Sequence, residues 1–115
     1  MTVSIVVPNY NGEKFLSECI GALNAQTMKD FELIIVDNGS TDKSLDIVRE
    51  TRPDTRIIEL DKNYGFSRAV NEGIRASEAE YVILLNNDTR ALPDFAYELY
   101  NAIRNDKKVF SVSAK

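Results

Sequence analysis

The chain has 115 residues, 43% of them hydrophobic and 28% charged, which suits one globular domain, residues 1–115, built around a single core. Its 14 Lys and Arg are outnumbered by 18 Asp and Glu, for a net charge of −4 with no long run of either sign, which excludes nucleic-acid binding driven by phosphate contacts. There is no histidine, which excludes Ser-His or Cys-His catalysis and histidine-rich zinc sites.

Val3 to Val7 (VSIVV) is a β-branched run that reads as a first strand ended by Pro8, with Asn9, Tyr10, Asn11 and Gly12 following as turn formers. From Glu13 to Ala25, the residues Phe15, Leu16, Cys19, Ile20 and Leu23 recur at helical spacing and predict a one-sided helix packed on the sheet. Cys19 is the single cysteine, lies in that stripe and has no histidine to activate it, so it reads as a buried structural thiol. Phe31 to Val36 (FELIIV) is a second strand running into Asp37, Asn38 and Gly39. Ser40 or Thr41 is then placed to cap a helix bearing Leu45 and Val48, which Arg52-Pro53-Asp54 ends. Arg56 to Leu60 makes a third strand. The loop Asp61-Lys62-Asn63-Tyr64-Gly65 follows, and Phe66, Val70, Gly73 and Ile74 mark a third helix. Tyr81 to Leu85 (YVILL) is a fourth strand, ending at Asn86-Asn87-Asp88. Pro93 suits the first turn of a fourth helix bearing Phe95, Leu99, Ala102 and Ile103, and Val109 to Ser113 alternates like a strand. No run reaches the roughly 18 apolar residues of a spanning helix, and the N-terminus lacks a basic stretch before its apolar run, so the chain reads as cytoplasmic.

Strands and helices in strict alternation, with continuously apolar strands, predict an α/β fold: an open, mainly parallel sheet with helices on both faces. Such sheets bind ligands beyond the carboxyl ends of their strands, where strand order reverses. In the order 3-2-1-4, Asp37 and Asp88 are expected to flank a crevice between the first and fourth strands. Asp, Asn and Gly are also what ordinary strand-to-helix turns prefer. The fourth strand argues for more than that. Four apolar residues run into Asn-Asn-Asp, which puts a carboxylate at a partly buried strand end, where desolvation calls for a partner. Mg2+ or Mn2+ suits that place, because either bridges one or two carboxylates to phosphates and would let an acidic chain hold an anion.

The segments VSIVVPNYNG, LIIVDNGSTD, NYGFSRAVNEGI and YVILLNNDT, in this order and covering nearly the whole chain, closely resemble the donor half of family 2 glycosyltransferases. The resemblance implies a Rossmann-like GT-A fold, a nucleoside-diphosphate sugar donor of the UDP or dTDP type, and inverting transfer to the hydroxyl of a carbohydrate or lipid-linked acceptor, at the inner face of the membrane in the full enzyme. Residue by residue, Pro8, Asn9 and Tyr10 match a loop bordering base and ribose. Asp37 matches an aspartate that accepts a hydrogen bond from the base, with Asn38 beside it. Gly65 matches a point of close approach to the nucleotide, and Arg68 a residue reaching base or diphosphate. Asn86, Asn87 and Asp88 occupy the Asp-X-Asp position, with Asp88 as the metal ligand and Asn86 in place of the first aspartate. This variant, with NYGFSRAVN, is similar to members that transfer rhamnose or related sugars. The general base of the family lies well past this motif, and Asp94, Glu98 and Asp106 are the carboxylates that follow Asp88 here. None fits that role, so the base is expected beyond Lys115, where the chain stops just after a strand-like segment. The expectation is therefore a domain cut before its acceptor-binding half, inactive alone and prone to self-association through exposed apolar surface. The alternative is a stand-alone nucleotide- or metal-binding module. A receiver-type regulator would need acidic residues after the first strand, where Asn9, Tyr10 and Asn11 stand. A dinucleotide-binding oxidoreductase would need Gly-x-Gly-x-x-Gly there.

Overall fold

The computed structural model describes residues 2–105. The elements alternate as β1 (Val3–Asn9), α1 (Glu13–Asn24), β2 (Phe31–Asp37), α2 (Ser44–Thr51), β3 (Arg56–Glu59), α3 (Phe66–Ala76), β4 (Tyr81–Leu84) and α4 (Phe95–Asn105). The four strands form one parallel sheet in the order β3-β2-β1-β4, the predicted one. Asp106, the strand-like segment Val109 to Ser113 and Lys115 lie outside the described residues, and so does the expectation of a general base beyond Lys115.

Alternation along each strand divides two cores. Ile5, Val7, Leu33, Ile35, Ile83 and Leu85 face α1, α2 and α4, where Leu16, Cys19, Ile20, Leu23, Val48 and Ala96 meet them. Val6, Ile34 and Val36 point the other way, onto Ala69 of α3. Gly73 lets α3 lie this close, because a Cβ there would run into the side chain of Val6. The apolar stripe of α3 is thus Ala69, Val70 and Gly73. The predicted members Phe66 and Ile74 are exposed, as are Phe15 of α1 and Ala102 of α4.

Two expectations about local structure change. Pro8 does not end β1, which pairs with β2 through Asn9↔Asp37. Pairing with β4 stops earlier, at Val6↔Leu84. Leu85 N–H still donates to Val6 O at 3.0 Å, and the next rung on that side would need an N–H from Pro8, which proline lacks. On the other side Asn38 N–H reaches Asn9 O at 2.8 Å, so β1 stays joined to β2 while it parts from β4. Neither Ser40 nor Thr41 caps α2, which starts later, with Lys43 at its N-cap.

The start of α4 is fastened to the end of α1 by a buried glutamine. Gln26 donates to Ala22 O at 3.1 Å and Leu92 O at 2.8 Å, and its carbonyl accepts from Ala96 N–H at 2.9 Å. Thr27 N–H adds a bond to Pro93 O at 2.8 Å. Gln26→Leu keeps the bulk but strands the buried Ala96 N–H and removes a donor from two part-buried carbonyls, so stability should fall by about 2 kcal/mol in urea denaturation. A loss under about 0.5 kcal/mol would show that water or a shift of α4 replaces these bonds.

Candidate functional site

Where β1 and β4 part, the carboxyl ends of the strands frame a cleft of about 410 Å³ lined by Pro8, Asn9, Tyr10, Asn38, Asn63, Gly65, Phe66, Asn86, Asn87 and Asp88. The structure thus brings together most of the residues singled out from sequence, drawn from four strand ends. Tyr10 and Phe66 are 49% and 59% exposed. Asn63 belongs to a strand-end loop expected at this rim and Phe66 to the Gly65–Asn71 segment matched to the nucleotide, but neither was named as a binding residue, and Phe66 read as core. Phe66 opens α3 directly after Gly65 and is exposed there, which its apolar character concealed in the sequence.

Asp37 does not join that lining. It is 2% exposed, with Oδ1 accepting from Asn9 Nδ2 at 3.0 Å and from the Ser40 hydroxyl at 2.6 Å, and Oδ2 from Ser40 N–H at 2.9 Å. A carboxylate so committed is not presented to a nucleobase. Its neighbour Asn38 does line the cleft. The Asn38 amide donates to Gly65 O at 3.1 Å and accepts from Tyr64 N–H at 3.2 Å, which ties β2 to the start of α3. Arg68 is likewise absent from the lining. Its guanidinium lies 4.7 Å from the Tyr64 ring centroid and pairs with Glu72 at 3.2 Å.

Asp88 is exposed, beyond the end of β4. The expected desolvation is therefore not what would call a cation to it; its place in the cleft is. Among the described residues no three Asp, Glu, His or Cys side chains are gathered around one point. A single carboxylate with amide oxygens nearby fits a hydrated Mg2+ or Mn2+ that takes its remaining ligands from phosphates. Cys19, beneath this loop, has its thiol pushed up to about 12 by burial and by the charge of Asp88. It is inert packing, as expected.

The rim is braced by Asp42. Its Oδ2 accepts from Glu13 N–H at 3.1 Å and its Oδ1 from Ser44 N–H at 2.9 Å, so one carboxylate serves the first turns of both α1 and α2. Burial raises its pKa, but hydrogen bonds from the Ser44 hydroxyl and from the Ser44 and Glu13 N–H groups outweigh that and hold it below the usual carboxylate range.

Residues 4–114 match the family model for Glycosyl transferase family 2, and the chain belongs to that family. It is 34% identical over 103 residues to glycosyltransferase GlyA of Streptococcus pneumoniae serotype 4, a match that spans 88% of this chain but 15% of that protein. Among solved structures it resembles S. aureus TarS 1-349 in complex with UDP-GlcNAc, with a TM-score of 0.84 and 28% identity over 93% of this chain and 32% of that one. It also resembles the mannosyltransferase PcManGT from Pyrobaculum calidifontis in complex with GDP-Man and Mn2+, with a TM-score of 0.68 and 30% identity over 75% of this chain and 27% of that one. Among the described residues no helix is long and apolar enough to cross a membrane.

Asp42→Asn removes a charged acceptor shared by two helix starts and should cost about 1 kcal/mol at neutral pH. Because the folded pKa of Asp42 is lowered, its contribution is complete above the unfolded value and is lost as pH falls through the folded one. Denaturation of wild type and variant should show a gap at pH 7 that closes in acid. A gap independent of pH would mean that the charge plays no part.

Proposed function

We propose that this member of glycosyl transferase family 2 carries the donor side of an inverting sugar transfer, binding a nucleoside-diphosphate sugar of the UDP or dTDP type with Mn2+ or Mg2+ in the cleft between β1 and β4. One observation carries the reading: Asp88, Asn86 and Asn87 share a single cleft with Pro8, Tyr10, Asn38 and Gly65, on a fold that matches a solved UDP-GlcNAc complex. The Mn2+ complex of the mannosyltransferase supports the cation.

Each part of such a ligand has a fitting partner. Tyr10 and Phe66 offer exposed ring faces to a flat base. The first turn of α3, opening at Phe66, supplies free N–H groups and the positive end of a helix dipole, which an acidic chain needs if it is to hold a diphosphate. Asp88 would hold the cation, whose charge offsets that of the leaving diphosphate. Asn86 in place of a first aspartate keeps a hydrogen-bonding side chain for the ribose. Asp37 serves this reading from below, through Asn9 and Ser40. Arg68 reaches the ligand only by leaving Tyr64 and Glu72.

In direct displacement the acceptor hydroxyl attacks the anomeric carbon as the bond to the diphosphate breaks, and a base must take the hydroxyl proton. The described carboxylates after Asp88 are Asp94 and Glu98, and both line a different cleft, with Thr27, Met28 and Tyr97. Asp94 also accepts a hydrogen bond from the Thr27 hydroxyl at 2.8 Å. The chain itself is therefore proposed to bind donor without transferring sugar. The base, expected beyond Lys115, and the carbohydrate or lipid-linked acceptor site belong, in this reading, to other parts of an enzyme working at the inner face of a membrane; this chain spans only 15% of GlyA.

With Asp37 withdrawn from the base, the preference rests on the likeness to the UDP-GlcNAc complex, and calorimetry with Mn2+ should show UDP or dTDP binding at least about tenfold tighter than ADP or GDP. Asp88→Ala should remove most of the cation dependence with an unchanged melting temperature. Equal affinity for all four nucleotides would reject the base preference, and cation-independent binding would reject the metal assignment. Transfer of sugar to an acceptor extract would reject the division between donor binding and catalysis.

A further inference from the structure

Asn9 lines the cleft, yet it is 2% exposed and its amide is committed at both ends. Its nitrogen donates to Asp37 Oδ1 at 3.0 Å and to the Ser40 hydroxyl at 3.2 Å, and its oxygen accepts from Asn87 Nδ2 at 2.8 Å. The direction of these bonds is forced. A carboxylate only accepts, so it must meet the nitrogen of Asn9, which turns the Asn9 oxygen toward Asn87 and requires the nitrogen of Asn87 in return. The Asn87 carbonyl oxygen is the end that remains for a ligand. A carboxylate buried at the carboxyl end of β2 thus sets the orientation of a side chain one residue from Asp88.

A second, independent feature protects the same bond. At Gly12 any Cβ would fall on both Asn87 Nδ2 and Asn9 Oδ1. Gly12 has φ −96°, a conformation open to any residue, so its lack of a side chain is a matter of space and not of backbone freedom.

We infer that Asn9 is a positioning residue: an Asp37–Asn9–Asn87 relay, kept clear by Gly12, holds the Asn86–Asp88 loop in place and presents Asn87 by its oxygen to the cation-diphosphate end of the ligand. This rests on the donor-binding reading above, and it moves Asn9 from nucleotide contact to support of the loop that makes the contact.

The test compares wild type with Asn9→Ala, Gly12→Ala, Asn9→Asp, and Asn9→Asp combined with Asp37→Asn. Three quantities are read: binding of uridine, the gain in UDP affinity that Mn2+ produces over a chelator, and the NMR signals and exchange protection of the Asn87 side-chain amide without ligand. Asn9→Ala and Gly12→Ala should each cut the Mn2+ gain at least about fivefold, leave uridine binding within about twofold, and strip Asn87 of its protection. Asn9→Asp sets two carboxylates in contact and should unfold readily. Adding Asp37→Asn reverses the polarity of that bond while keeping an acceptor for Asn87, and should restore both stability and the Mn2+ gain. Should Asn9→Ala fail to fold, Gly12→Ala and the reversed pair decide the matter alone. An unprotected Asn87 amide in wild type overturns the relay, as does an Mn2+ gain that survives Gly12→Ala. A parallel loss of uridine and UDP binding would reduce Asn9 to scaffold and overturn it too. If wild type shows a protected Asn87 amide but no Mn2+ gain, the donor-binding reading fails while the relay itself stands.

Discussion

A carboxylate buried at the carboxyl end of β2 organises this chain. Removing the Asp37 charge from water is costly unless it is hydrogen-bonded on several sides, and Asn9 and Ser40 meet that demand with three donors. Ser40 in turn accepts from Asn11 N–H at 2.8 Å, and Asn11 Oδ1 accepts from Thr41 N–H at 2.8 Å. One buried charge therefore locks the loop after β1 to the loop after β2, and through Asn87 reaches the loop after β4. Asn38 carries the same lock outward to Tyr64 and Gly65, in the loop after β3.

The second constraint is an absence. Pro8 withholds the N–H that would have carried the β1–β4 ladder one rung further, so the two strands part while β1 and β2 remain joined. The cleft opens at the seam where chain order reverses, between strands entered from opposite directions in the sequence. Its walls are polar amides and exposed rings, with one carboxylate. The basic side chains close by are held elsewhere: Arg68 lies on Tyr64 and Glu72, and the Lys62 ammonium lies 5.2 Å from the Tyr64 ring centroid. Arg68 and Lys62 are therefore turned to Tyr64 and are absent from the lining of the cleft.

Much of this was legible in the residues. The alternation of apolar strands with one-sided helices, and the rule placing ligands at strand ends, were enough to expect the order 3-2-1-4 and to name the loops that supply the cleft, if not each side chain. The misreadings share a cause. Asp37 and Asp88 look alike in sequence, each an aspartate after an apolar strand, yet one is 2% exposed and fully hydrogen-bonded while the other is exposed. Phe66 resembles core because it is apolar, and Ser40 resembles a helix cap because it precedes a helix. For the aspartate and its relay the deciding partner is distant in sequence: Asn9 stands 28 residues from Asp37, and Asn87 stands 78 from Asn9.

The sequence by itself determined what depends on near neighbours. Strand and helix periodicity, the missing histidine, the inert cysteine and the family motifs are properties of short windows or of composition, and folding leaves them unchanged. Which aspartate faces solvent, which asparagine is buried under hydrogen bonds and where the sheet splits were decided only in the tertiary structure. A side chain's role at a strand end depends on whether a donor arrives from another loop to satisfy it. Here that arrival is fixed by the β1–β2 register, which sets Asn9 beside Asp37, and by the space at Gly12, where a Cβ would strike both Asn9 and Asn87.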